Sequence, residues 1–464
     1  TRIEIYLLTA DGLQPVVDVP IYGRIATLEL YRPPGEAQDL IFLSTERYHF
    51  CVLGYDSATG ELVTRAGGDI QDRIGRPTDS GQVGIIDPKN RMIGLHLYDG
   101  LFKIIPIDAG GKLSDAFNVR LEELNVITIK FLYGCDKPTI AILYQDTKSA
   151  KHIRTYAINL RDKEFEPGPW DHSNLDMGAN VVIPVPTPLG GAIVIGELTI
   201  AYFDGATTSV IPIKQTVTKA YGIVDPDGSR YLLSDITGTL HLLVLEHANH
   251  KVTNLKLEQL GKTSVASTLS YLDNGVVFVG SSFGDSQLIR LSPTPVGQPN
   301  NYVEVLETFV NLGPIVDFSV AELEHQGQGQ VVTCSGVYGD GSLRVIRNGI
   351  GINEQASVDL PGVKGMWSLT PSVMERNGQQ QQPGQAQIFD KYLLVTFVGA
   401  TRVLAINEDD ELEETEIAGL EADEQTLLCA NVANDQFLQV TPKEVRLIDA
   451  NSHMLVEKWQ PGEV

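Results

Sequence analysis

Two groups of residues in this chain have the types and spacing to do chemistry. Gly280-Ser281-Ser282-Phe283-Gly284 matches G-x-S-x-G, in which a serine on a strained turn becomes a nucleophile. That chemistry needs a strand before the turn and a helix after it. Asp285 to Leu291 reads instead as a returning strand, which leaves the serine without the geometry that activates it. His241, His247 and His250 could offer imidazoles to a metal. The i, i+4 spacing of a helical pair is absent, and neither a cysteine nor an ordered carboxylate set completes a site. His241 falls in an expected strand; the other two fall in a polar loop with Asn249 and Lys251, and all read as surface histidines.

Asp235 to Leu240 is similar to an aspartate box but lacks the aromatic residue that ends one, so its Asp and Gly read as turn formers. No glycine-rich phosphate loop precedes a helix. Cys51, Cys135, Cys334 and Cys429 lie far apart, form no CxxC pair, and read as buried free thiols in a reducing compartment. The residues therefore imply no enzyme, no cofactor and no metal.

The elements that carry these residues repeat. Tyr271–Leu291 rises through Val276-Val277-Phe278-Val279, turns at Gly284 and Asp285, and returns through Leu288, Ile289 and Leu291. Runs this dense in β-branched and aromatic residues suit strands covered on both faces. The two turn residues suggest the positive-φ tolerance of a tight hairpin. Similar hairpins occupy 39–55, 91–108, 138–160, 191–205, 228–247, 331–349, 391–407 and 435–449. They recur at roughly 40–60 residues, the period of propeller blades. Helical patterning is confined to Val119–Leu124. Strands without intervening helices exclude a doubly wound α/β fold, and an all-β propeller of about seven four-stranded blades is expected.

Counting the opening strand as half a hairpin, seven hairpins are complete by Leu291, and 331–349 is an eighth. The expected organisation is a first propeller over 1–355, a linker with a glutamine-rich loop over 356–390, and the start of a truncated second propeller over 391–464. Arg2–Leu8 opens inside a strand without an initiator Met, which reads as a piece of a longer protein with an unpaired edge in its first blade. No apolar run reaches the roughly 18 residues of a membrane span.

Several segments go beyond a generic propeller. DRIGRP at 72–77, RMIGLHLYDGLFKIIP at 91–106, RLEE at 120–123 and QGQGQVVTCSGVYGDGSLRVIRNGIGI at 326–352 closely resemble the family of the large subunit of the DNA damage-binding protein, in its plant and algal branch. The match runs from Arg2 to about Trp459. The glutamine-rich insert at 374–387 departs from the pattern. The resemblance implies a three-propeller adaptor of cullin-4 ubiquitin ligases, present in nucleus and cytoplasm. Its first and third propellers clamp WD40-type substrate receptors, and its second docks the cullin. Relatives in the splicing factor 3b complex and the polyadenylation-specificity factor share the architecture, which leaves an RNA-processing scaffold as the alternative. The same likeness places Val331 and Pro361 near the receptor-binding cleft. It also allows hairpin 331–349 to pass into the region between propellers.

The 464 residues carry 35 basic against 59 acidic side chains, a net charge of −24. Nucleic acid binds through basic patches whose counterion release makes affinity fall with salt. The sequence shows no such patch, so contact with DNA is expected only through a receptor partner. The isolated chain should give no damage-selective gel shift at physiological salt. A tight, damage-selective shift would contradict this reading.

Overall fold

The computed structural model describes residues 2–10, 12–321, 329–346, 360–370, 390–406 and 412–462. It is built of antiparallel meanders, and each expected hairpin except 331–349 forms the middle pair of a four-stranded sheet. The segments 25–69, 83–120, 126–172, 181–212, 218–262 and 268–309 each form a four-stranded sheet (β3–β6, β7–β10, β11–β14, β15–β18, β19–β22 and β23–β26). A two-stranded sheet, β1 (Arg2–Thr9) with β2 (Gly12–Pro20), precedes them. A three-stranded sheet, β27 (Ile315–Ala321), β28 (Gln330–Ser335) and β29 (Ser342–Ile346), follows.

The chain divides into two compact units, 1–348 and 349–464. The second contains two four-stranded sheets, β30–β33 from Gly365 to Thr415 and β34–β37 from Leu428 to Trp459. They share a buried layer that includes Leu394, Phe437 and Ile448. The glutamine-rich insert, the ends of segment 326–352 and the start of the acidic run at 408–416 lie outside the described residues.

The first unit has no single core; its apolar residues form layers between neighbouring sheets. Ile3 meets Leu43 and Leu53 between the first two sheets. Phe42 and Val52 meet Ile93 and Leu95 between the next two. Phe102 and Ile104 meet Ile129 and Ile142, Leu143 meets Val194, Tyr202 meets Tyr231, and Leu232 meets Val277. On the remaining side, Leu8, Thr9 and Gly12 share a cavity of about 720 Å³ with Asp273, Leu306 and Glu307 of the seventh sheet. The β1–β2 hairpin thereby closes a ring of seven blades.

This ring explains the continuous apolar runs. β8 (Met92–Tyr98), a second strand, is buried at every position because a sheet covers each of its faces. It also resolves the hairpin count: the eighth hairpin belongs to a sheet outside the ring. Val119–Leu124 is not helical; Val119 and Arg120 end β10 (Phe117–Arg120), where Val119 pairs with Phe102. The opening strand pairs with β2 from Arg2↔Pro20 to Thr9↔Gly12, and among the described residues its other edge carries no partner strand, as expected. Ile3 is buried, whereas Leu7 remains 60% exposed.

One buried group works against the fold in acid. His96 on β8 is 1% exposed, and neither ring nitrogen has a hydrogen-bond partner. Burial holds its pKa down from 6.5 to about 4. Between those values the unfolded chain binds a proton that the folded chain refuses, so stability is lost as pH falls. The loss from this group amounts to about 3 kcal/mol once both states are protonated. His96→Leu should therefore flatten the decline in unfolding free energy between pH 6.5 and 4, as measured by urea denaturation. An unchanged pH profile would show that His96 is not the sensitive group.

Candidate partner-binding face

In a ring of antiparallel meanders, two kinds of connection lie on one face. They are the turns between second and third strands, and the links from each outermost strand to the next innermost strand. Those links present large apolar side chains to solvent: Tyr22, Ile74, Leu124, Met177 and Val310 are 100%, 89%, 68%, 76% and 74% exposed. Leu198, on a second-to-third turn of the same face, is 52% exposed. Charged groups interleave with them, and Arg76 is held by Asp79 at 3.2 Å and Asp99 at 3.5 Å. Apolar anchors set among polar groups are the make-up of a protein-docking surface. Sequence reasoning missed these residues because each is a lone apolar side chain in a polar loop, with no period to reveal it.

The three-stranded sheet is attached to this same face, at the seventh blade. Arg344 Nη2 donates to Asp285 Oδ2 at 2.7 Å, and the Val265 amide donates to Asp340 Oδ2 at 2.7 Å. The Val337 amide donates to the Phe283 carbonyl at 2.9 Å, and the Phe283 and Tyr338 rings meet edge to face. The hydrogen bond from Arg344 holds the Asp285 carboxyl below its usual range. A Cβ at Gly284 would stand 2.6 Å from Cβ of Asp340, so glycine is needed for the close approach.

These contacts give the G-x-S-x-G segment a structural reading. The strand expected after it is present as β25 (Ser286–Leu291). The serine at the nucleophile position, Ser282, pairs its hydroxyl with Ser267 at 2.6 Å. Ser281 Oγ accepts the amides of Phe283 and Gly284 and donates to the Val265 carbonyl. The turn is thus held by side chains. Gly284 and Asp285 are not among the residues with positive φ; that conformation is adopted at Asn274 and Gly275, one turn earlier.

The remaining candidates separate in space or act in turns. His241 sits in β21 (Thr239–Ala248), where burial lowers its pKa. His250 occupies the turn after β21 with φ +61°, and His247 Nδ1 contacts the Leu245 carbonyl. Among the described residues, no three His, Cys, Asp or Glu gather to hold a metal. Asp235 Oδ1 accepts the Thr237 and Thr239 amides, as a turn-forming aspartate does.

The thiols are not uniformly buried. Cys429 is, and its pKa is pushed up to about 12, whereas Cys51 and Cys135 are half-buried and Cys334 is exposed. Cys334 stands on the same face of the three-stranded sheet as the exposed Leu343, with which it pairs. Val331 lies half-buried in β28, in register with Val320 and Ile346. Pro361 occupies an exposed turn ahead of β30 (Gly365–Leu369), in the other unit.

Among the described residues, both faces of the three-stranded sheet carry exposed apolar side chains. Phe318 and Val320, each 64% exposed, share the face of Val331. Leu343 and Val345, 76% and 50% exposed, share the other. Removing the ion pair with Arg344→Met should loosen this sheet without touching the ring. Amide exchange over 330–346 should rise about tenfold while that of β8 stays constant. Equal acceleration in both would mean that the sheet is part of the ring's cooperative unit.

Comparison with known proteins agrees with this division. Residues 1–310 match the family model described as RSE1/DDB1/CPSF1 first beta-propeller, and residues 352–463 match RSE1/DDB1/CPSF1 second beta-propeller. The first match stops ahead of β27. Similar proteins include DNA damage-binding protein 1 of Oryza sativa subsp. japonica, 62% identical over 465 residues and 100% of this chain. DNA damage-binding protein 1a of Arabidopsis thaliana is 61% identical and DNA damage-binding protein 1 of Solanum lycopersicum 60% identical, each over 99% of this chain. The chain spans 41% of the length of these relatives. With its wheel, its further sheets and both matches in view, the chain belongs to the RSE1/DDB1/CPSF1 β-propeller family.

Proposed function

We propose that this chain is part of a non-enzymatic adaptor that joins WD40-type substrate receptors to a cullin-4 ubiquitin ligase in the DNA-damage response. It works in nucleus and cytoplasm and meets DNA only through its receptors. The observation that carries this reading is the row of exposed apolar side chains, Tyr22, Ile74, Leu124 and Met177, on successive blades of one face. The three-stranded sheet rises from that face and supplies a second apolar wall beside it, on which Val331 stands. Pro361, in the second unit, is also assigned to receptor binding. Cullin docking falls to the second propeller.

The names of the relatives favour this reading over an RNA-processing scaffold. The family description spans both, but the relatives at 60–62% identity are named for damaged-DNA binding. Affinity purification of the full-length protein should recover a cullin and propeller-type receptors. Recovery of splicing or polyadenylation factors without a cullin would reverse the assignment. Ile74→Asp with Met177→Asp should weaken receptor recovery by about 2 kcal/mol or more while cullin recovery persists. Loss of neither partner would remove this face from the interaction.

A further inference from the structure

The opposite face of the ring carries a cavity of a different character. The innermost strands of the second to sixth blades converge there, at the mouth of the central channel, around about 390 Å³. Most charged groups at this mouth are already matched. Asp87 takes the Arg91 guanidinium at 2.7 Å, and Arg32 is paired with Asp39 at 2.8 Å. Two are not matched: among the described residues, neither Glu29 nor Lys130 makes a hydrogen bond or an ion pair through its side chain. They line the same cavity from β3 (Ile25–Tyr31) and β11 (Val126–Phe131).

Lys130 stands beyond ion-pair distance, yet its charge acts on Glu29, whose pKa is raised by burial and lowered by the lysine. Tyr133 and Tyr221 line the cavity too, and their hydroxyls have no partner among the described residues. An unmatched carboxylate, an unmatched ammonium and two phenols facing one half-buried space are complementary to a ligand bearing both charges. A simple anion or cation would leave one protein charge unanswered.

We propose that the channel mouth binds a free α-amino acid, with its ammonium on Glu29, its carboxylate on Lys130 and the two tyrosines beside it. The volume suits a ligand of that size, and the site faces away from the docking face, so both can be occupied at once. Its chemistry excludes N-acetylated and C-amidated amino acids, which lack one of the two charges.

Saturation-transfer NMR on the whole chain, with the common amino acids as probes, tests this. At least one free amino acid should receive saturation, and its N-acetyl and amide derivatives should not. Glu29→Gln and Lys130→Met should each weaken binding about tenfold or more, the usual effect of losing a charged hydrogen bond. Arg161→Gln, on an exposed turn, should leave it unchanged. Absence of transfer, or equal transfer in the variants, would overturn the proposal. Thermal unfolding without ligand gives a second reading. If both channel variants lose stability and no amino acid binds, Glu29 and Lys130 close on one another and the site is structural.

Discussion

The structure depends on one constraint: a four-stranded sheet with two apolar faces cannot be stable until both are covered. A ring solves this, because a sheet flanked by two others both covers its neighbours and is covered by them. The layers from Ile3 against Leu43 through to Leu232 against Val277 are successive uses of the same solution. Burial of this kind is non-directional, so it sets the spacing of the blades and leaves their loops free to vary. The docking face is made by connections that contribute little to those layers, whereas the channel mouth is made by the ends of innermost strands.

What lies outside the ring is joined by different forces. The three-stranded sheet meets the seventh blade through the Asp285–Arg344 pair and two amide hydrogen bonds, with one aromatic contact beside them. Its own faces leave Phe318, Val320, Leu343 and Val345 exposed. The same composition of strands thus gives a buried layer where neighbours exist on both sides and an exposed wall where they do not.

The hairpins were legible in the sequence because they are second and third strands. β16 (Ala192–Ile195) is buried throughout and reads as an unbroken apolar run, and β20 (Arg230–Asp235) carries a shorter one at Tyr231-Leu232-Leu233. Outer strands such as β6 (Glu61–Asp69) and β18 (Thr208–Pro212) are largely exposed and alternate weakly, so they left little pattern to read. Another outer strand, β10, misled the reading of Val119–Leu124, where a few apolar residues imitate a helical period. The candidate face was not legible at all. Ile74 and Met177 become a surface only when ring closure brings their loops to one side, and no local spacing encodes that. The channel charges were equally hidden, since Glu29 and Lys130 lie on blades separated by another blade.

The joint at Asp285 and Arg344 differs from the rest of the body in its response to the solvent. Both side chains are about one-fifth exposed, so dissolved salt reaches them and screens their attraction. The apolar layers of the ring have no such sensitivity, and their burial is strengthened by excluded salts such as sulfate. Ionic strength therefore acts on the two parts in opposite senses. In dilute buffer the three-stranded sheet is held at a set angle to the wheel. In concentrated salt the ion pair contributes less, and the two amide hydrogen bonds and the aromatic contact carry more of the joint.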